Sequence, residues 1–175
     1  MIVSPSREKF IRENFFEFSF DNKEPNFEKF QTLNSFEQFF LAEIYNWDDG
    51  TEVLNWIIDS KNCDKGTASM IFWRSAPDYY FDEENEIAEY EQDTFKLLKS
   101  IIDKFKNNVF KSSKIKYNPN EDFEIEESGE NIKDWKLPTE LTKPTNGIKP
   151  IYLGTFIKFL KNKYKKSRRK KKSGN

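Results

Sequence analysis

Nearly half of the hydrophobic residues of this chain are aromatic: eighteen Phe, seven Tyr and four Trp stand among 175 residues whose mean hydropathy is only -0.87. Each ring carries a large buriable area, so a modest core can form from few residues. In several segments apolar residues, rings among them, recur every three or four positions, the period of a helix face. Hydrophobic residues make up 36 % and charged residues 34 %, so the stretches between the ring-rich segments are polar enough to approach disorder. One helical domain with polar appendages is the expected organisation.

Local signals place the helices. Ser4-Pro5 reads as an N-cap followed by proline at the first helical position, predicting a helix to about Phe16 with Phe10, Ile11, Phe15 and Phe18 on its buried side. Asp21 to Asn26 reads as a turn. Ser35, with Gln38 three residues on, opens a second helix carrying Phe36, Phe39, Phe40 and Ile44. After a turn at Tyr45–Gly50, Val53, Leu54, Ile57 and Ile58 predict a helix of about ten residues that Asn62 ends. Asp64 repeats the cap ahead of Ala68, Ile71, Phe72 and Ser75, and Pro77 stops that helix. The small residues Gly66, Thr67 and Ala68 leave room for another helix to approach closely.

The longest periodic segment holds Ile87, Tyr90, Phe95, Leu97, Leu98, Ile101, Ile102 and Phe105, with acids early and lysines late, as the helix dipole favours. It predicts one helix from about 83 to 108. Ile115–Tyr117 reads as a short extended piece. Residues 118–150 form an acidic, proline-containing excursion that Trp135, Leu137, Leu141 and Ile151 pin to the body. A short helix over 151–164 and a disordered basic tail over 165–175 complete the chain. The fold class is mainly α, four or five helices in a compact array, with no parallel sheet signalled.

Formal net charge is only -1, but residues 158–175 hold Lys158, Lys161, Lys163, Lys165, Lys166, Arg168, Arg169, Lys170, Lys171 and Lys172 and no acid, which leaves -11 on residues 1–157. Two runs concentrate that charge: Asp82, Glu83, Glu84, Glu86, Glu89, Glu91 and Asp93, then Glu121, Asp122, Glu124, Glu126, Glu127, Glu130 and Asp134. Such a body repels nucleic acid and attracts basic proteins, or serves solubility alone. The tail suits nucleic acid, an anionic membrane surface, an acidic protein, or simple solvation.

The chain has no His and one Cys, Cys63, which excludes a His-based triad, a Cys-His dyad, an internal disulfide and a Cys/His zinc site within one chain. Charges throughout residues 1–20 leave no uninterrupted apolar leader, and no apolar run is long enough for a membrane span, so a cytoplasmic protein is expected.

Three linked motifs, YNWDDG at 45–50, NCDKGTA at 62–68 and FW at 72–73, resemble a bacterial family of small proteins catalogued only as a domain of unknown function. The resemblance covers about residues 36–119. It implies a compact helical domain and brings no catalytic residues with it. Small proteins of this look occur among immunity and accessory genes around secreted toxins, so the resemblance also implies an antitoxin-like role.

The motif residues Trp47, Asp48, Asp49, Gly50, Cys63, Asp64, Gly66, Phe72 and Trp73 have structural readings beside chemical ones. Asp48, Asp49, Asp59 and Asp64 are the carboxylates that a metal or acid–base site would use, while Asp48, Asp49 and Asp64 equally suit N-caps. Cys63 precedes a helix start, where a thiol can be activated, but fits a small buried position. Trp47, Trp56 and Trp73 suit either a recognition surface or a core, and Gly50 and Gly66 are isolated rather than part of a phosphate loop. The expected function is therefore non-catalytic and without cofactor or metal: an immunity protein that occludes a basic toxin through Tyr79, Tyr80, Asp82, Glu83, Glu84, Glu86 and the acids from Glu121 to Glu130. The alternatives are a nucleic-acid-associated protein anchored by its tail and a carboxylate-based metal enzyme.

Overall fold

The computed structural model describes residues 2–18, 20, 23–80, 87–121 and 135–172, with side chains as far as 163 in the last segment. The described residues form seven α-helices and one two-stranded sheet. The order is β1 (Ile2–Val3), α1 (Pro5–Phe15), α2 (Phe27–Gln31), α3 (Ser35–Ile44), α4 (Glu52–Asp59), α5 (Lys65–Arg74), α6 (Gln92–Lys106), β2 (Ile151–Tyr152) and α7 (Leu153–Lys172). The fold is mainly α, as the ring spacing predicts.

The core is one cluster to which α1 gives Ile11 and Phe15, α3 gives Phe39, Phe40 and Leu41, and α4 gives Val53, Leu54, Ile57 and Ile58. From α5 come Ala68, Met70, Ile71, Phe72 and Trp73, and from α6 Leu97, Leu98, Ile101, Ile102 and Phe105. The two helices with the sharpest apolar faces, α4 and α6, repeat these residues at helical spacing, which is why they pack as single-sided elements.

Three carboxylates are buried among the described residues, and each ties parts of the chain that are distant in sequence. Glu37 of α3 takes the Arg7 guanidinium through two hydrogen bonds, at 2.7 and 3.1 Å, joining α1 to α3. Glu8 of α1 receives the N–H groups of Gly154 and Thr155 and the Thr155 hydroxyl, so it caps the start of α7 from another helix. Asp64 is the most enclosed. Its Oδ1 accepts from Gly66 N–H at 2.9 Å, capping α5, and from Ile115 N–H at 3.3 Å; its Oδ2 accepts from Lys114 N–H at 2.7 Å and Ser112 Oγ–H at 2.6 Å.

That junction draws the extended segment 112–117 across the start of α5. The segment pairs in turn with Ile148, whose N–H donates to the Lys114 carbonyl. Gly66 lies so close that a Cβ there would run into the Ile115 carbonyl oxygen. The small residues opening α5 thus admit extended backbone rather than a second helix, because the nearest neighbour is the strand-like piece that Asp64 recruits.

Several boundaries differ from the sequence expectation. The capping box at α3 is Asn34 with Glu37, one residue before Ser35 and Gln38; Glu37 also has Arg7 to hold it, and Gln38 turns inward to Leu33 and Ser60. Asp48 and Asp49 do not cap α4: they lie in a 3-10 turn (Trp47–Asp49) capped by Asn46, and α4 follows Thr51 without a side-chain cap. Helix α4 ends at Asp59, before Asn62, and α5 ends at Arg74, where Ala76 takes a positive φ of 49° ahead of Pro77.

The long helix predicted over 83–108 is shorter. It begins at Gln92 after a 3-10 turn at Glu89–Glu91, which leaves Tyr90 exposed. Residues 81–86 lie outside the described residues. Trp135 and Leu141 are buried as pins, but Ile151 points outward and Tyr152 packs on Phe40 at 4.6 Å instead. A parallel pair does exist: Ile2 with Ile151 and Val3 with Tyr152. Helix α7 continues to Lys172, past the expected end near Tyr164, since no Gly or Pro interrupts residues 155–172 and cationic residues suit a helix C-terminus. The last three residues of the expected tail lie outside the described set.

Replacing Asp64 by Ala orphans three backbone N–H groups and a hydroxyl at once. Urea unfolding of Asp64→Ala is expected to show a loss of about 3 kcal/mol or more, with Gly66→Ala also destabilised by backbone collision. A loss below about 0.5 kcal/mol for Asp64→Ala would remove the junction from its structural role.

Candidate functional site

The sequence places its partner-binding candidates in two acidic runs, and the structure describes the residues that bracket them. Tyr79 and Tyr80 end the described stretch 23–80, in a 3-10 turn at Pro77–Tyr80. Their rings meet edge to face at 5.1 Å. Tyr80 lies against Phe95 at 6.0 Å, and Phe95 meets Trp135 at 5.7 Å, so a chain of four rings runs over the start of α6. Lys99, one turn on, holds its ammonium 3.7 Å from the Trp135 ring centre and 5.2 Å from that of Phe95.

Tyr80 and Trp135 are buried and Tyr79 is half exposed. The Glu91 carboxylate beside Tyr79 pushes that phenol up, and burial does the same to Tyr80. Glu121 pairs with Lys149 at 3.2 Å. Asp82, Glu83, Glu84, Glu86, Asp122, Glu124, Glu126, Glu127 and Glu130 lie outside the described residues. The rings that flank the two runs in sequence are described. Asp82 follows Tyr80 by two residues and Asp134 precedes Trp135 by one, and these two rings meet on the same Phe95.

The motif residues are built into the scaffold. Trp47 packs edge-on to Tyr45 at 6.4 Å, and the Tyr45 hydroxyl donates to the Gly50 carbonyl at 3.0 Å, closing the YNWDDG turn where Gly50 takes φ 77°. Phe72 and Trp73 are in the core, and the Trp73 indole N–H donates to the Leu141 carbonyl at 2.7 Å, which pins the 135–141 segment. Cys63 is buried, and burial, reinforced by Asp64, pushes its thiol up, the opposite of activation.

The four carboxylates considered for a metal are not brought together. Asp64 is buried at its junction, Asp59 pairs with Lys104 at 2.9 Å, and Asp48 and Asp49 sit in their turn. Among the described residues no group of three or more His, Cys, Asp or Glu side chains is placed to hold a metal ion.

Two further surfaces are present, of which the first escapes the sequence reading and the second is the apolar helix face that Phe156, Ile157, Phe159 and Leu160 predict. One is an open groove of about 670 Å³ floored by Phe27, Phe30 and Trp56, with Asp59, Lys61 and Asn62 on its rim. It exists because Asn26 caps the five-residue α2, whose Phe27 and Phe30 face Trp56 at 5.1 and 5.7 Å. Asn26 ahead of a Phe pair is the only local signal for it. The other is the outer face of α7, where Phe156, Ile157, Phe159 and Leu160 stand exposed.

Fold and surfaces together define a small helical array whose three buried carboxylates tie its own segments together and whose described surface carries exposed rings and one basic helix. Residues 34–106 match the family model described as Domain of unknown function (DUF4274). The match runs from the N-cap of α3 to the last residue of α6, so the three motifs fall inside it and α1, α2, the 112–148 segment and α7 fall outside. No curated protein and no solved structure matches the chain. No described helix is long and apolar enough to cross a membrane.

Cys63 is expected to resist alkylation in the folded protein and to react fully in urea; rapid modification of the native state, read by mass spectrometry, would contradict its placement. Because the thiol is raised on folding, the unfolded chain ionises first. Stability is therefore expected to be intact below the ordinary thiol value of 9.0 and to fall as pH rises above it. Tyr45 and Tyr152, both raised chiefly by burial, add to that fall above 10.0.

Proposed function

We propose that this is a non-catalytic, protein-binding immunity protein of the bacterial cytoplasm, which neutralises a basic toxin by covering it with an acidic, aromatic-rich surface. One observation supports this reading above the others: Tyr80 and Trp135, which border the two acidic runs, converge on Phe95. Tyr79, exposed beside these buried rings, would supply contact area at low entropic cost, and the acids of the two runs would steer a basic partner and raise its association rate. Lys99 on the Trp135 face illustrates how a cation seats on these rings. A lysine or arginine from a partner would use the same attraction.

The test begins with affinity capture by the full chain from native cells, with nuclease present, and proceeds to kinetics on the captured protein. Reversing Glu83, Glu84 and Glu86 to Lys together is expected to slow association by about tenfold and flatten its salt dependence, while dissociation changes little. Association kinetics that ignore both the substitutions and the salt would sink the acidic surface as the binding site.

A further inference from the structure

The start of helix α7 is tied to the body. Strand β2 pairs with β1, the Tyr152 ring lies on Phe40, and the Glu8 carboxylate takes the first free N–H groups of the helix at Gly154 and Thr155. Beyond that cap every side chain from Thr155 to Lys163 is exposed, in a helix of 20 residues that spans about 30 Å.

The exposed side chains are sorted by face. Leu153, Phe156, Ile157 and Leu160 recur at i, i+3, i+4 and i+7, and the same spacing reaches Tyr164 in the sequence. Lys161 and Lys163 flank this stripe, Phe159 lies further round the helix, and Lys158 and Asn162 lie across from it. Phe156 is 51 % exposed and Phe159 59 %, values that leave large apolar area in water. The sequence contains no acid after Glu140, and ten Lys or Arg lie between 158 and 172.

We propose that α7 is a peripheral anchor for an anionic lipid surface, lying along the bilayer interface with Phe156, Ile157 and Leu160 toward the acyl chains and its lysines among the headgroups. Both halves of the observation are then used: the stripe leaves water and the cations meet fixed negative charge. Nucleic acid would satisfy the lysines but leave the stripe in water. Pairing of α7 with α7 from a second copy would bury the stripe but bring ten cationic residues against ten.

The test is co-sedimentation of the full chain with vesicles of equimolar phosphatidylglycerol and phosphatidylcholine, against vesicles of phosphatidylcholine alone. Binding to the anionic vesicles is expected to be tighter by about tenfold or more and to weaken with salt. Phe156→Ser with Leu160→Ser should reduce it by about tenfold while leaving the melting curve unchanged, because both side chains are exposed. Replacing Lys158, Lys161 and Lys163 by Gln should reduce anionic binding and leave residual neutral-lipid binding as it was. Equal binding to both vesicle types, no binding to either, or full retention by the Phe156/Leu160 variant would each overturn the proposal. Binding of a duplex oligonucleotide in place of vesicles, indifferent to the Phe156/Leu160 change, would make α7 a nucleic-acid arm; self-association abolished by that change, without lipid binding, would make it a contact between copies.

Discussion

A carboxylate removed from water must find donors, and at Asp64 that requirement organises the molecule. With four donors, from Gly66, Ser112, Lys114 and Ile115, the charge is compensated almost entirely by fixed backbone groups. One side chain thereby starts a helix and fastens a segment about fifty residues further on. The fastened segment supplies the edge to which residues 145–148 attach, and Thr145 donates its hydroxyl to the Ile115 carbonyl at 2.8 Å while receiving the Tyr117 N–H. Among the described residues, 112–117 and 135–148 are held by hydrogen bonds to backbone together with the burial of Ile115, Tyr117, Trp135 and Leu141.

The same device recurs with different partners. Glu37 answers an arginine and its own helix start, and Glu8 answers the start of a helix far along the chain. In each case a buried acid is paired with groups whose positions are already set, which limits the desolvation cost that burial otherwise imposes. Rings close the spaces between: Phe95 joins Tyr80 to Trp135, and Arg12 lies over both Phe16 and Phe40. The core mixes rings with aliphatic side chains, and the rings serve as edge, face or cation seat as each gap requires.

What was legible in the sequence was local. Ser4 and Asp64 announce their helices because a cap acts within three residues, and α4 and α6 announce theirs because each has one apolar face. What was illegible depends on distance. Asn34 and Ser35 offer the same capping pattern one position apart, and it is Arg7, far upstream, that selects Glu37. Gly66 reads as a small residue for close approach, but the sequence does not say that the neighbour is Ile115. Strands of two residues show no alternation, and the five residues of α2 show no period, so the ladder at the chain ends and the groove beside Trp56 had no pattern to read. The acidic runs were plain from composition, whereas the meeting of their flanking rings on Phe95 needed the fold.

The pairing of β1 with β2 joins segments separated by nearly the whole length of the chain. Loop-closure entropy delays such contacts, and during synthesis the partner of Ile2 and Val3 emerges only after all of α1 to α6. Glu8 meanwhile waits without the donors at Gly154 and Thr155 that later satisfy it. Closure at this point is thus a completion signal written in hydrogen bonds: the basic helix acquires a fixed direction on the body only once the rest of the molecule is there to hold it.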